Sequence, residues 1–329
     1  MLDTEIFDAT PRLKKRLNVL PNNPEKKTPE SAVGPGRFPS WLHRKLPKGN
    51  VLWTTGQLLN DKRLHTVCEE AKCPNLLECW SKKTATFLVM GNQCSRSCGF
   101  CDIAFSKSAA PLDPDEPQRV AESIIALGLR HAVITMVARD DLPDGGAAHL
   151  ANVVTAVRMA SKEVTVELLT SDFSGEEKSL DIILAAAPEI FNHNIETVRE
   201  LTPRVRHKAT YERTLALLRY VKKQGPSHLM VKSGMMVGLG ESAEQVERTL
   251  RDLKEVGCDI ITIGQYLQPS RNKLRVKAFI PPEQFQAYEA YGYAIDIPYM
   301  YCGPFVRSSY NANLVIRQAG TRLRTITSE

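Results

Sequence analysis

The chain lacks most of what would place it outside the cell or in a membrane. Across 329 residues no apolar run approaches the roughly 20 needed to span a bilayer. No secretory signal is recognisable, and the first 40 residues mix Asp3, Glu5 and Asp8 with Lys14-Lys15-Arg16, unlike an acid-poor transit peptide. Aromatic residues are scarce, at 7%, and none are interleaved with basic residues in the RNA-binding manner, so no nucleic-acid partner is expected. The net charge of +6 fits either an acidic protein partner or an ordinary, mildly basic surface. A chain this long can bury about 75% of its unfolded surface, so it needs no disulfides to stand. Cysteine is uncommon too, at eight residues, but six of the eight fall between positions 68 and 101. Disulfide frameworks belong to small secreted domains. A thiol-rich, unexported, metal-binding chain is expected in the cytoplasm, off the membrane.

The spacing of those cysteines carries chemistry. Cys94, Cys98 and Cys101 directly follow the apolar run 84–91, so three thiols gather where a strand ends and a loop begins. Neither this trio nor the second one, Cys68, Cys73 and Cys79, has a fourth cysteine close by. Three thiolates can hold an iron–sulfur cluster and leave one iron open to another ligand. Zinc prefers four tetrahedral ligands and paired C-x2-C knuckles. Zinc, disulfides and inert buried thiols stand as the alternatives to iron.

The rest of the chain reads as α/β. Residues 1–60 form an irregular arm rich in proline and lysine, and 61–83 carry the second trio. Strand-like runs follow at 84–91, 131–137, 164–170, 189–194, 229–238 and 259–266. Between them Leu150, Val153, Val154 and Val157 mark one helix face, and Tyr211, Leu215 and Leu218 another. Ser242 with Gln245 reads as a capping box, Val246, Leu250 and Leu253 as an inward stripe, and Gly257 as a stop. Six strand–helix alternations imply parallel strands and right-handed crossovers. The expected architecture is a partial (β/α)6 TIM-type barrel over 84–285, with N- and C-terminal extensions and residues 286–329 as the latter. A doubly wound sheet is the competing arrangement, which periodicity does not separate. In both, the chemistry sits at the C-terminal strand ends.

Cys94-Ser-Arg-Ser-Cys98-Gly-Phe-Cys101 resembles the C-x3-C-x2-C signature of radical S-adenosylmethionine enzymes. The resemblance implies a [4Fe–4S] cluster on these three residues, with S-adenosylmethionine chelating the open iron and yielding a 5′-deoxyadenosyl radical. Cys68-Glu-Glu-Ala-Lys-Cys73-Pro-Asn-Leu-Leu-Glu-Cys79 resembles the auxiliary-cluster motif of the lipoyl synthase family, and Arg307-Ser-Ser-Tyr-Asn-Ala312 its R-S-S-Y-x-A motif. In that family a serine of this motif completes a second [4Fe–4S] cluster, a role carried to Ser309 with Ser308 as fallback. An alkoxide is a harder ligand than thiolate, suited to leaving when the cluster is dismantled as sulfur donor. The implied reaction inserts sulfur at C6 and C8 of an octanoyl group amide-linked to a carrier lysine. The implied carriers are E2 subunits of 2-oxoacid dehydrogenases and the glycine-cleavage H protein, with a low-potential electron donor.

Further motifs agree with this family. Arg139-Asp-Asp-Leu-Pro-Asp-Gly-Gly146 resembles its R-D-D-L-x-D-G-G, which implies cofactor contact at Asp144, Gly145 and Gly146; a plain turn is the alternative. Phe191-Asn-His-Asn-Ile-Glu-Thr-Val198 implies that Asn192, His193, Asn194 and Glu196 line the cavity. Gly238, in Gly234-Met-Met-Val-Gly238-Leu-Gly-Glu241, and Glu167 on the third strand complete the expected cofactor contacts. A pairing role inside the barrel is open for Glu167. Cys258 and Cys302 read as buried thiols. Two rivals remain: a radical methylthiotransferase, and a zinc-stabilised nucleic-acid-binding protein.

Overall fold

All six apolar runs expected as strands form strands, and they lie side by side in chain order. The computed structural model describes residues 38–43, 56–59, 61–81 and 85–309. The unit from Ser40 onward is the one treated below; of the unit Met1–Pro39 only the last two residues are described. Within the expected irregular arm, Ser40–Leu42 makes one short 3-10 turn and residues 56–59 are helical.

The elements in order are β1 (His65–Thr66), α1 (Val67–Glu70), α2 (Leu76–Ser81), β2 (Thr86–Val89), β3 (Gln93–Cys94), β4 (Ala104–Phe105), α3 (Glu116–Ala126), β5 (His131–Met136) and α4 (Ala147–Ala160). They continue as β6 (Thr165–Leu169), α5 (Glu177–Ala185), β7 (Ile190–Asn192), α6 (Thr202–Val205), α7 (Tyr211–Gln224), β8 (Met230–Val237), α8 (Ala243–Glu255), β9 (Ile260–Gln265), α9 (Pro282–Ala294) and β10 (Tyr299–Gly303).

The main sheet runs β1-β2-β5-β6-β7-β8-β9-β10, parallel throughout except for β1, which pairs antiparallel with β2. A doubly wound sheet reverses its strand order at a switch point. Here the order never reverses, so the sheet is wound one way, as an open arc of barrel. The expected six parallel strands gain a seventh, β10, inside the stretch read as a C-terminal extension. That strand is short and half-exposed, and it pairs with β9 from Tyr299↔Ile260 to Gly303↔Gly264.

Every residue of β2 and of β9 is buried, as expected of parallel strands covered on both faces. The helices supply that cover. Leu150, Val153, Val154 and Val157 on α4 are all 0% exposed, each burial stabilising by about 1.5–3 kcal/mol. The capping box is present on α8: Gln245 N–H donates to Ser242 Oγ at 3.3 Å, and Ser242 N–H to Gln245 Oε1 at 2.9 Å. Gly257, at φ +87°, ends that helix. Tyr211 and Leu218 of α7 are buried and Leu215 half-buried.

Candidate metal centre

The first trio stands where β2 leaves the barrel. Met90 and Gly91, at φ +70° and +83°, turn the chain outward, and the Met90 N–H donates to buried Glu116 at 2.9 Å. Cys94 is then fixed by the small β3–β4 pair, opposite Phe105, with Ser106 N–H donating to its carbonyl at 3.0 Å. The loop onward to Cys101 is anchored on both flanks. Ser95 donates through N–H and hydroxyl to Ala138 O, each at 3.0 Å, past the end of β5. Opposite, Gly99 N–H donates to Val205 O at 2.9 Å on α6, and its carbonyl accepts from Leu274 N–H at 2.9 Å.

Arg96, in the middle of the trio, is the anchor with most charge behind it. Its Nε and Nη2 fork onto Asp140 at 2.6–3.1 Å, and its Nη1 meets fully buried Asp172 at 2.6 Å. Burial opposes ionisation of both carboxyls, but Arg96 outweighs it and holds them below the usual carboxylate range. The cluster loop is thereby tied to the ends of β5 and β6.

The thiols themselves call for a cation. Burial first, then Cys101, Glu196 and Cys94, push the Cys98 thiol up to about 12. Cys101 rises to about 11, through burial and then the charges of Cys94 and Glu196, against a lowering hydrogen bond from Ile103. Three thiolates in this half-buried loop would repel one another, and bound iron would offset that repulsion. Among the described residues no three Cys, His, Asp or Glu side chains converge tightly enough for a single metal ion.

The second trio is built by a turn. Cys68 lies in α1, capped by Thr66, and Cys73 N–H returns to Cys68 O at 3.0 Å. Lys72, at φ +49°, makes that return possible; α2 then carries Cys79. Burial and the nearby Cys73 and Cys79 push the Cys68 thiol up to about 12. The two trios are joined through their immediate neighbours: Lys72 Nζ pairs with Asp102 at 2.5 Å.

The serine motif reaches this region as a strap from β10. Asn75 Nδ2, between Cys73 and Cys79, donates to Phe305 O at 2.8 Å. The strap crosses β9 where a Cβ on Gly264 would lie 2.0 Å from Val306 O, so only glycine fits there. Asn194 Nδ2 donates to Ser308 Oγ at 3.3 Å and to Glu196 at 3.1 Å. Ser308 is thus engaged toward the barrel, and Ser309 follows it, half-buried. Tyr310, Asn311 and Ala312 lie outside the described residues.

The expected cofactor contacts divide. Glu167 and Asn192 are both 0% exposed and pair with one another inside the barrel. Asn192 Nδ2 donates to Glu167 at 2.7 Å, and Lys232 Nζ pairs with both carboxylate oxygens at 2.9 and 3.1 Å. Burial alone would raise the Glu167 carboxyl, but Lys232 and then His131 hold it down at about 2. Asp144 spends both oxygens on the start of α4, accepting from Gly146 N–H at 2.9 Å and Ala148 N–H at 2.8 Å. Gly146, at φ +90°, could hold no side chain, since a Cβ would lie 2.4 Å from Met90 Sδ; with Gly145 it makes a tight turn. Gly238 closes β8 against Gln265, its amide taken by Glu241. His193 is a core residue, bonded at 2.9 Å to Thr170 O and lowered to about 4 by burial, then by Arg206.

The sequence reading missed Arg206 and gave Glu196 no particular role. Arg206 is buried and Glu196 half-buried, and both act electrostatically on Cys98. Glu196 takes φ +66° yet bridges to Met235, a costly conformation for a side-chain-bearing residue. Burial raises its carboxyl and lowers the Arg206 guanidinium. Beside them Arg206 Nε and Asn194 Oδ1 are buried without hydrogen-bond partners. Opposite charges with orphaned donor and acceptor fit a ligand carrying amino, carboxylate and hydroxyl groups. Arg206 stands in a run of exposed basic residues, Arg204, His207 and Lys208, from which spacing could not single it out.

Comparisons with known proteins agree with this geometry. Residues 88–253 match the Radical SAM superfamily. The chain is 65% identical over 316 residues to the lipoyl synthase of Protochlamydia amoebophila, covering 96% of this chain and 98% of that protein. It is 50% identical over 305 residues to the lipoyl synthase of Chlamydia muridarum, covering 93% and 98%. Among solved structures, Streptococcus suis SuiB bound to S-adenosylmethionine superposes with TM-score 0.52 at 12% identity, over 69% of this chain and 53% of that one. The [FeFe]-hydrogenase maturase HydG gives TM-score 0.52 at 13% identity, over 76% and 62%. At such low identity these two bear on the fold alone.

Proposed function

This chain belongs to the lipoyl synthase family of radical S-adenosylmethionine enzymes, and on that premise we propose how its residues divide the work. The enzyme is a sulfurtransferase that inserts two sulfur atoms into an octanoyl group borne by a lipoyl carrier. Family membership decides against the methylthiotransferase and zinc-protein readings. A [4Fe–4S] cluster and S-adenosylmethionine are among its cofactors.

Cys94, Cys98 and Cys101 hold the first cluster, and Arg96 keeps their loop seated. Glu196 and Arg206 face the polar groups of S-adenosylmethionine, with Asn194 Oδ1 as a further acceptor and the Gly145-Gly146 backbone alongside. Cys68, Cys73, Cys79 and Ser309 hold a second cluster, in segment 61–83 and the strap beyond β10; Ser308 is already engaged by Asn194, which favours Ser309. When bound, these groups supply a 5′-deoxyadenosyl radical for hydrogen abstraction and the sulfur for C6 and C8. The barrel walls exclude water from the radical, and its mouth admits the carrier's lysine arm. The carriers are E2 subunits and H protein, a low-potential protein serves as electron donor, and nucleic acid is not a partner. No disulfide joins any of the eight cysteines, which supports a cytoplasmic setting. No described helix is long and apolar enough to cross a membrane.

The observation that carries this reading is the approach of the two segments, with Lys72 Nζ, next to Cys73, pairing with Asp102, next to Cys101, at 2.5 Å. Anaerobic reconstitution should give about eight irons per chain, falling to about four in Cys68→Ala/Cys79→Ala. That variant should still form 5′-deoxyadenosine but leave the octanoyl peptide unthiolated by mass spectrometry. Intact lipoyl formation would overturn the second-cluster assignment.

A further inference from the structure

One stretch of the chain near the first cysteine loop is basic without any acidic residue. Residues 267–281, between β9 and α9, hold Arg271, Lys273, Arg275 and Lys277 and no acidic residue, four positive charges against a net +6 for the whole chain. β9 ends at the mouth of the barrel, so this loop lies at the mouth as well. It is held there firmly. Ser270 Oγ donates to Asp102 at 2.5 Å, and Leu274 N–H to Gly99 O at 2.9 Å, seating it on the first cysteine loop. On the return, Lys277 N–H donates to Gly238 O at 2.8 Å, Gln265 Nε2 to Ala278 O at 2.9 Å, and Ile280 N–H to Gln265 Oε1 at 2.7 Å.

Arg271, Arg275 and Lys277 are exposed, and among the described residues none of them makes an ion pair. Elsewhere at the mouth the acids are already spent, Asp102 on Lys72 and Asp140 on Arg96. A pre-ordered, unneutralised cationic rim is a device for collecting an anionic partner and orienting it.

We infer that the loop 267–281 is the docking rim for the carrier protein, and that it selects a carrier with an acidic surface around its octanoylated lysine. This rests on the lipoyl-synthase reading above. The carbons to be thiolated are at the far end of a long flexible arm, so the body of the carrier stays outside while the arm enters. Contacts between bodies therefore form at the rim, beside the first cysteine loop, where these charges are. Phosphate-bearing nucleic acid would also find a basic loop, but it could not present an octanoyl arm to this mouth.

The test compares two substrates of the reconstituted holoenzyme: an intact octanoylated carrier domain, and a short neutral peptide with one octanoyl-lysine. Arg271→Glu/Arg275→Glu/Lys277→Glu should lower kcat/KM for the carrier at least tenfold and leave the peptide within twofold. Exchanging acidic residues beside the carrier's lysine for lysine should restore the variant. With the unaltered enzyme, raising salt from low to physiological strength should weaken carrier turnover and spare the peptide. Equal turnover of the carrier by variant and parent, or a flat salt response, overturns the inference, as does loss of RNA binding with carrier turnover unchanged. If the triple reversal also loses peptide turnover, the triple glutamine variant and the salt series decide. If the parent thiolates neither substrate, it is the functional reading that fails.

Discussion

Replacing Arg96 with methionine isolates the anchor of the first cysteine loop. The substitution keeps most of the side chain's bulk but removes three hydrogen bonds to Asp140 and the 2.6 Å pair with Asp172. Asp172 is 0% exposed and keeps only Arg213, at 3.1 Å, as a charged partner. Removing one member of a buried pair costs about 3–5 kcal/mol; with Arg213 still present, about 3 kcal/mol is expected. For a chain of this size that lowers Tm by roughly 6–12 °C. The sign with pH follows from the two carboxyls, which the fold holds below their ordinary values. The clamp is at full strength above their unfolded values, about pH 4, and is lost as pH falls through the folded ones. The Tm gap between parent and variant should therefore be constant from pH 7 to 5 and narrow below about 4. Because the loop is also loosened, iron at the first site should drop while the second stays filled, read by iron count and EPR. Arg96→Lys should not rescue, since a lysine cannot fork onto Asp140 while reaching Asp172. Full first-site iron with a Tm within about 1 °C of the parent, or a gap that widens in acid, would refute the clamp.

Two further expectations follow from single contacts. Lys232→Met strands the Glu167 carboxylate inside the barrel and should cost about 3–5 kcal/mol, most of it recovered in Lys232→Met/Glu167→Leu; a double variant as unstable as the single would refute pairing as the role of Glu167. Ser309→Ala should leave 5′-deoxyadenosine formation intact and abolish lipoyl product, while Ser308→Ala keeps substantial product; the reverse order would move the ligand to Ser308.

The sequence was most informative where a property depends on neighbours in the chain. The two cysteine trios are legible from local spacing, as are the capping box of Ser242 and Gln245 and the stripe Leu150, Val153, Val154 and Val157, and the last two stand in the structure as read. Strand identity was legible for the same reason, since a buried parallel strand is a continuous apolar run. The seventh strand escaped because Tyr299–Gly303 is short, half-exposed and mixed in composition, so no run announces it.

Contacts between distant segments were decided only by the folded chain. Strand order separated an open barrel from a doubly wound sheet, a choice periodicity cannot make because both use the same repeat. Glu167 carries no mark in the sequence showing that Lys232, 65 positions on, will neutralise it. Nor does Lys72 announce Asp102, or Asn75 the carbonyl of Phe305, 230 residues away. Local hydrogen bonding and apolar periodicity act over a few residues and so are written in order along the chain. Charge pairing and the approach of a strap to a glycine act through space, and the curved parallel sheet determines which partners meet.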